Sequence, residues 1–250
     1  VKVIVCMKQV PDTEANIKID SDNKSISEAG IKFIINPYSE YAVEEAIKLK
    51  EAGKAESVTA ISWGPERVTE ALKTAVAMGV DDVLLLKTDT SSVDTFSTAK
   101  ILAEKIKSME YDLIIMGKET IDDGSMQLGP MLGELLNIPC VTVVTKLDVD
   151  GEQVTAKREI EGGSETVETT TPCIITCQKG LNEPRYPSIR GVMMAKKKQI
   201  TAEPVSYESE NVSINNLSYP AARAEGKVVG EGADAVPELV RLLREEAKVL

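Results

Sequence analysis

Short apolar runs alternate with stretches of helical periodicity from Val1 to Val144. The run Val3-Ile4-Val5-Cys6-Met7 is a buried-strand pattern. Asn36-Pro37 then supplies an N-cap followed by proline at the first helical position. That helix carries Ala42, Ala46 and Leu49 on one stripe and stops at Gly53. Ser57 to Trp63 reads as the second strand. A helix opened by Gly64-Pro65 turns Val68, Leu72, Ala75 and Val76 inward and ends at Gly79. Val83 to Leu86 is the third strand. Asp94 caps a helix with Ala99, Leu102, Ala103 and Ile106 on its stripe. Leu113 to Met116 is the fourth strand, Gly117 to Ser125 a loop, Met126 to Leu136 a helix and Val141 to Val144 the fifth strand. Such alternation dictates βαβ units with right-handed crossovers and helices on both faces. The expected fold class is α/β, a doubly wound, mostly parallel, Rossmann-like sheet.

The pattern changes after Val144. Gln153 to Ile160 and Glu165 to Thr171 alternate polar and apolar residues around Glu161-Gly162-Gly163-Ser164, which reads as a hairpin with a loose turn. Cys173 to Cys177 is a further buried strand. A proline-interrupted loop, Leu181-Asn182-Glu183-Pro184-Arg185-Tyr186-Pro187, and the basic cluster Lys196-Lys197-Lys198 follow. Residues 200–233 have weak periodicity, and Ala235 to Leu250 form an amphipathic helix with Leu239, Leu242, Leu243 and Ala247 on one side. The expected division is an α/β domain over 1–199, including hairpin 153–171 and loop 178–190, and an arm plus helix over 200–250. The arm has two readings: it packs back on its own domain, or it wraps a partner. A long polar arm gains little from folding alone, which favours the partner.

Composition narrows the chemistry. The 250 residues contain no histidine, which removes Ser-His-Asp and Cys-His catalysis and His-ligated zinc or haem. No catalytic residue or metal site is assigned. A net charge of −11 and 4% aromatic residues speak against nucleic acid as a partner. Cys6, Cys140, Cys173 and Cys177 lie in apolar runs, without a C-x-x-C pair, and read as buried free thiols of a cytoplasmic protein. No apolar stretch is long enough to span a membrane. The chain enters a strand at once, leaving no room for a signal peptide.

In a doubly wound sheet, ligands bind beyond the carboxyl ends of the strands near the switch point. Three segments converge there: Cys6-Met7-Lys8, Asn36 to Ser39, and Gly117 to Gly129. The last, a glycine-and-hydroxyl loop leading into a helix, can offer free N–H groups to a phosphate or can be a capped helix start. The candidate binding residues are Cys6, Met7, Lys8, Asn36, Tyr38, Ser39, Trp63, Ile121, Asp122, Asp123, Gly124, Ser125, Met126, Gln127 and Leu128. Trp63 and Ile121 suit a nucleotide ring or the core equally. Asp122 and Asp123 disfavour many phosphate charges unless they face ribose hydroxyls or cap backbone groups. The acid pairs Glu44-Glu45 and Glu245-Glu246 read as solvated helix faces.

Five separate segments carry a resemblance. They are the opening Val-Lys-Val-Ile-Val-Cys-Met-Lys-Gln-Val-Pro-Asp, Asn36 to Ala46, Gly117 to Asp122, Lys157 to Pro172, and Leu181 to Tyr186. Together they resemble the electron-transfer flavoprotein beta-subunit family over the whole chain. The resemblance implies a heterodimer with an alpha subunit. It also implies an adenine nucleotide on this chain, either AMP as a structural ligand or, in electron-bifurcating members, FAD reduced by NADH. From that FAD, electrons pass to a flavin-containing dehydrogenase and to ferredoxin or flavodoxin. Ser125, Gln127, Gly129 and Pro130 match the bifurcating pattern, whereas Asp123-Gly124 departs from its Gly-Asp order, and Asp123 resembles the AMP-binding type. The residues favour FAD, with AMP as the alternative. Leu181, Asn182, Glu183, Pro184, Arg185 and Tyr186 resemble the family's recognition loop, which docks the dehydrogenase. Leu181, apolar amid polar neighbours, reads as the anchor entering a partner's pocket or as a residue tucked into its own domain.

Overall fold

A computed structural model describes residues 1–90, 94–206, 212–223 and 225–250. The first part of the chain runs β1 (Lys2–Cys6), β2 (Gln9–Pro11), β3 (Phe33–Ile35), α1 (Pro37–Glu51), β4 (Ser57–Gly64), α2 (Thr69–Met78) and β5 (Asp82–Lys87). Next come α3 (Thr95–Ile106), β6 (Leu113–Gly117), α4 (Leu128–Leu136), β7 (Cys140–Asp150), β8 (Gln153–Ile160) and β9 (Gly163–Thr170). The last elements are β10 (Cys173–Cys177), α5 (Ile189–Lys197), β11 (Thr201–Pro204) and α6 (Val236–Glu245). Nine strands form one sheet in the order β11-β5-β4-β1-β6-β10-β7-β8-β9. All pairs are parallel from β11 to β7, and β7-β8-β9 is antiparallel. The fold is mixed α/β with a large, mostly parallel central sheet.

Alternating side chains of the central strands feed two cores. Val3 and Val5 of β1 pack with Ala42, Val43 and Ala46 of α1 and Leu72 and Ala75 of α2. Ile4 and Cys6 face the other way, with Ile101, Leu102 and Ile106 of α3 and Leu132 of α4. Burial on both faces explains why β1, β6 and β10 are unbroken apolar runs rather than alternating ones. Asp94 caps α3 as expected, its carboxylate accepting from the Ser97 N–H at 2.9 Å.

Several local expectations need correction. The short ribbon β2-β3 is new: three-residue strands carry no readable period, and Pro11 masks the first. Gly64-Pro65 leads first into a 3₁₀ turn, Glu66–Val68, and α2 starts at Thr69. The hairpin turn is tight, not loose: Ile160 pairs with Gly163, leaving only Glu161-Gly162 in the loop, with Gly162 at φ +76°. β7 runs on to Asp150, so the hairpin extends the main sheet. A nine-residue helix, α5, follows the proline loop, its start capped by Ser188, which accepts from the Gly191 N–H at 3.0 Å. Lys196 and Lys197 form its last turn, where cations complement the helix dipole.

β11 takes the sheet edge beside β5, so residues 201–204 belong to the sheet. Beyond it Val205 still packs on the core and donates to the Lys87 carbonyl, and further along the arm touches its own chain again. The Leu217 N–H donates to the Asn23 carbonyl at 2.7 Å, and the Tyr219 hydroxyl accepts from the Ile19 N–H at 2.9 Å. Part of the expected arm, 207–211 and 224, lies outside the described residues. α6 buries none of its residues, and Val236 and Leu239 are exposed. Among the described residues no helix is long and apolar enough to cross a membrane.

Candidate functional site

Strand β1 lies between β4 and β6. The chain leaves β1 toward the α1 face and leaves β6 toward the α4 face, so the two exits diverge and open a cleft. The cleft has about 670 Å³ of free space, part of it open to solvent. Cys6, Met7 and Lys8 line it from the end of β1, Ser39 from α1 and Trp63 from the end of β4. Asp123, Ser125, Met126, Gln127 and Leu128 line it from the approach to α4. Asn36, Tyr38, Ile121, Asp122 and Gly124 stand beside or behind these walls rather than on them. Sequence reading missed Thr95, Thr98 and Leu102 of α3, which line the opposite side. The available signal was the Asp94 cap, which starts α3 at the same sheet edge.

Asn36 takes the N-cap position with Pro37 opening the helix, as expected, but its fully buried side chain makes no capping bond to the helix backbone. Its amide instead ties the 119–121 loop to α1: Nδ2 donates to the Glu119 carbonyl at 2.9 Å, and Oδ1 accepts from the Ile121 N–H at 3.1 Å. Asn36→Ala would strand both backbone groups. We expect a loss of about 1–3 kcal/mol, read as a lower melting temperature. An unchanged melting temperature would show that other contacts hold the loop.

Lys8 Nζ lies 2.7 Å from Asp122 and 3.6 Å from Asp123, with Thr120 Oγ1 at 3.5 Å. Lys118 pairs with Glu119 at 2.8 Å and sits 5.0 Å above the Tyr38 ring. Both cations that line the cleft are thus matched by acids. Burial pushes the Cys6 thiol up to about 12, so it stays protonated and unreactive in the wall.

Helix α4 begins at Leu128, not at Met126. Met126 adopts φ +55°, which interrupts the helix, and Asp123 takes the Ser125 N–H at 2.8 Å. The amides without an intrahelical acceptor are therefore those of the Leu128-Gly129 turn, where Gln127 and Leu128 line the cleft. Gly124 has φ +62°, a conformation that favours glycine, and no protein atom lies within 4 Å of an added Cβ.

The loop at 181–187 is fastened to α1. Leu181 is half-buried and packs against its own core. Glu44 and Glu45, read above as solvated, are each only 5% exposed. Arg185 donates through Nε and Nη2 to Glu44 at 2.8 and 2.9 Å and also bonds Glu51. Asn182 donates to Glu45 at 2.8 Å and to the Tyr41 carbonyl at 3.0 Å. The i, i+4 stripe seen from sequence placed Ala42, Ala46 and Leu49 inward but gave no sign that a distant loop covers the neighbouring positions. What the loop leaves in solvent is Tyr186, 96% exposed, followed by Ile189 on α5, 84% exposed.

Residues 24–207 match the family model described as "Electron transfer flavoprotein domain". The chain is 42% identical to the electron transfer flavoprotein subunit beta of Bacillus subtilis, covering 99% of both chains. It is 40% identical to the subunit of that name from Syntrophomonas wolfei, over 99% of this chain and 98% of the relative. It is 36% identical to the one from Dictyostelium discoideum, over 99% of each. A cleft at the switch point of a mostly parallel sheet, joined to similarity along the full length, leads to one conclusion: the chain belongs to the electron transfer flavoprotein beta-subunit family.

Proposed function

We propose that this chain pairs with an alpha subunit and binds FAD in the switch-point cleft. In this reading it takes electrons from NADH and delivers them to a flavin-containing dehydrogenase and to ferredoxin or flavodoxin. The observation that carries the reading is the cleft itself, with Trp63, Leu102 and Met116 as apolar wall and the free amides of the α4 start as an anion seat. These parts fit an adenine dinucleotide. A bound flavin supplies one- and two-electron chemistry. The chain's own residues would position it: Ser125, Gln127 and Leu128 would hold the phosphates and Trp63 would exclude water, while Lys8 stays paired with Asp122 and Asp123. No histidine or other general base is needed. Asp123 favours a second reading in which AMP occupies the cleft and the chain serves as a docking module. Its carboxylate lines the cleft and sets negative charge beside any phosphate, which suits the one phosphate of AMP better than the two of FAD.

Docking falls to the 181–187 loop and α5. Leu181 is tied into the core, so Tyr186 and Ile189 take over as the anchors. Residues beyond Pro204, ending in the uncovered α6, reach the alpha subunit. The test is the cofactor count of the purified heterodimer by acid extraction and chromatography. Two FAD per heterodimer are expected; one FAD and one AMP would establish the docking-module reading instead.

A further inference from the structure

We infer that Glu44 is a positioning residue, holding the 181–187 loop from α1 in the shape that presents Tyr186 and Ile189 to a partner. This rests on the docking reading above. A carboxylate is seldom buried unless it is paired and fully hydrogen-bonded. Glu44 is buried, and its partners come from the loop: the Arg185 backbone N–H at 3.2 Å, Arg185 Nε at 2.8 Å and Nη2 at 2.9 Å. Glu51, two turns further along α1, takes the remaining edge of the guanidinium. Glu45 holds Asn182 one turn of loop away. A loop with no regular secondary structure is thus gripped at two residues, three apart, by one rigid helix. Apolar residues at 44 and 45 would pack at least as well, since a buried ion pair rarely surpasses hydrophobic packing in stability. What the pair adds is a fixed orientation, through a two-pronged match between guanidinium and carboxylate. With Leu181 drawn inward and Arg185 clamped, Tyr186 between them and α5 has only the solvent side left. A loop ordered before contact loses less freedom on docking.

The test uses the holo-heterodimer carrying Glu44→Gln, a change that keeps the shape and removes the charge. Hydrogen exchange is followed over residues 181–187. KM and kcat are measured with the purified flavin-containing dehydrogenase that couples to the wild-type heterodimer. Ferricyanide serves as a small acceptor that needs no docking surface. The expected result is exchange faster by at least about tenfold in the loop and KM raised by about tenfold, with kcat and the ferricyanide rate within about twofold of wild type. Arg185→Lys, which keeps the charge but not the fork, should fall between wild type and Glu44→Gln. If Tyr186→Ala or Ile189→Ala raises KM and Glu44→Gln does not, the positioning role is overturned and the docking reading stands. If none of the three changes KM, both are overturned. Should Glu44→Gln fail to fold, the exposed Glu51→Gln reads the same clamp: a smaller rise in KM supports it, and an unchanged KM overturns it.

Discussion

Gly117→Ala is expected to lower the melting temperature and to empty the cleft proposed above for a nucleotide. Gly117 ends β6 where the strand passes under the start of α1. A Cβ built there would lie 2.7 Å from Tyr38 Cβ, 2.8 Å from the Tyr38 carbonyl carbon and 3.0 Å from the Ser39 nitrogen. Two of these three atoms are backbone, so no rotamer change relieves the contact. The end of β6 and the first turn of α1 must part. Both carry the site: Lys118, Glu119 and Thr120 follow from β6, and Ser39 stands on α1. Separation also pulls on the Asn36 bonds to the 119–121 loop. Overpacking of this kind costs about 1–3 kcal/mol, or roughly 2–12 °C in a chain of this size. Nucleotide retention should fall about tenfold for each 1.4 kcal/mol that the displacement removes from binding. Acid extraction of the purified heterodimer and a thermal melt check both effects. Wild-type nucleotide content in a variant with a lowered melting temperature would show that the cleft does not depend on this approach.

The second large effect is expected at Gly191, and it should be confined to the docking side. Gly191 lies where α5 crosses α2, and an added Cβ would fall inside the van der Waals shell of the Ala77 carbonyl oxygen. Its N–H also takes the Ser188 cap. Gly191→Ala must lift α5 off the end of α2 and move Ile189, Val192, Met193 and Met194, its exposed apolar residues. The cost is again about 1–3 kcal/mol. Because α5 is remote from the cleft walls, nucleotide content should stay at the wild-type level while turnover coupled to the dehydrogenase falls about tenfold, equivalent to ~1.4 kcal/mol. Equal losses of nucleotide and of coupled turnover would mean that α5 supports the whole fold rather than presenting a surface.

These two glycines also mark the limit of the sequence. Neither has the positive φ that makes a glycine legible as a turn residue; each is required by a neighbour brought from elsewhere in the chain. What the sequence determined by itself was local and periodic. The apolar runs of β1, β4, β5, β6 and β10 and the stripes of α1, α2 and α3 were readable because each strand or helix shows its own period. The cleft followed from them, since alternating βαβ units place the ends of β1 and β6 at a switch point whatever the details. The tertiary structure decided everything that rests on a long-range partner. β11 is a strand only because β5 offers it an edge. Asn36 spends its amide on a loop more than eighty positions away, beside a bond to Ser39, rather than on capping the backbone of its own helix. Glu44 and Glu45 look like a solvated pair by spacing, yet a loop from the far end of the domain lies over them and supplies Arg185 and Asn182. Burial of a charge is decided by whether its partner arrives, and that partner is set by the path of the whole chain, not by the charge's neighbours in sequence.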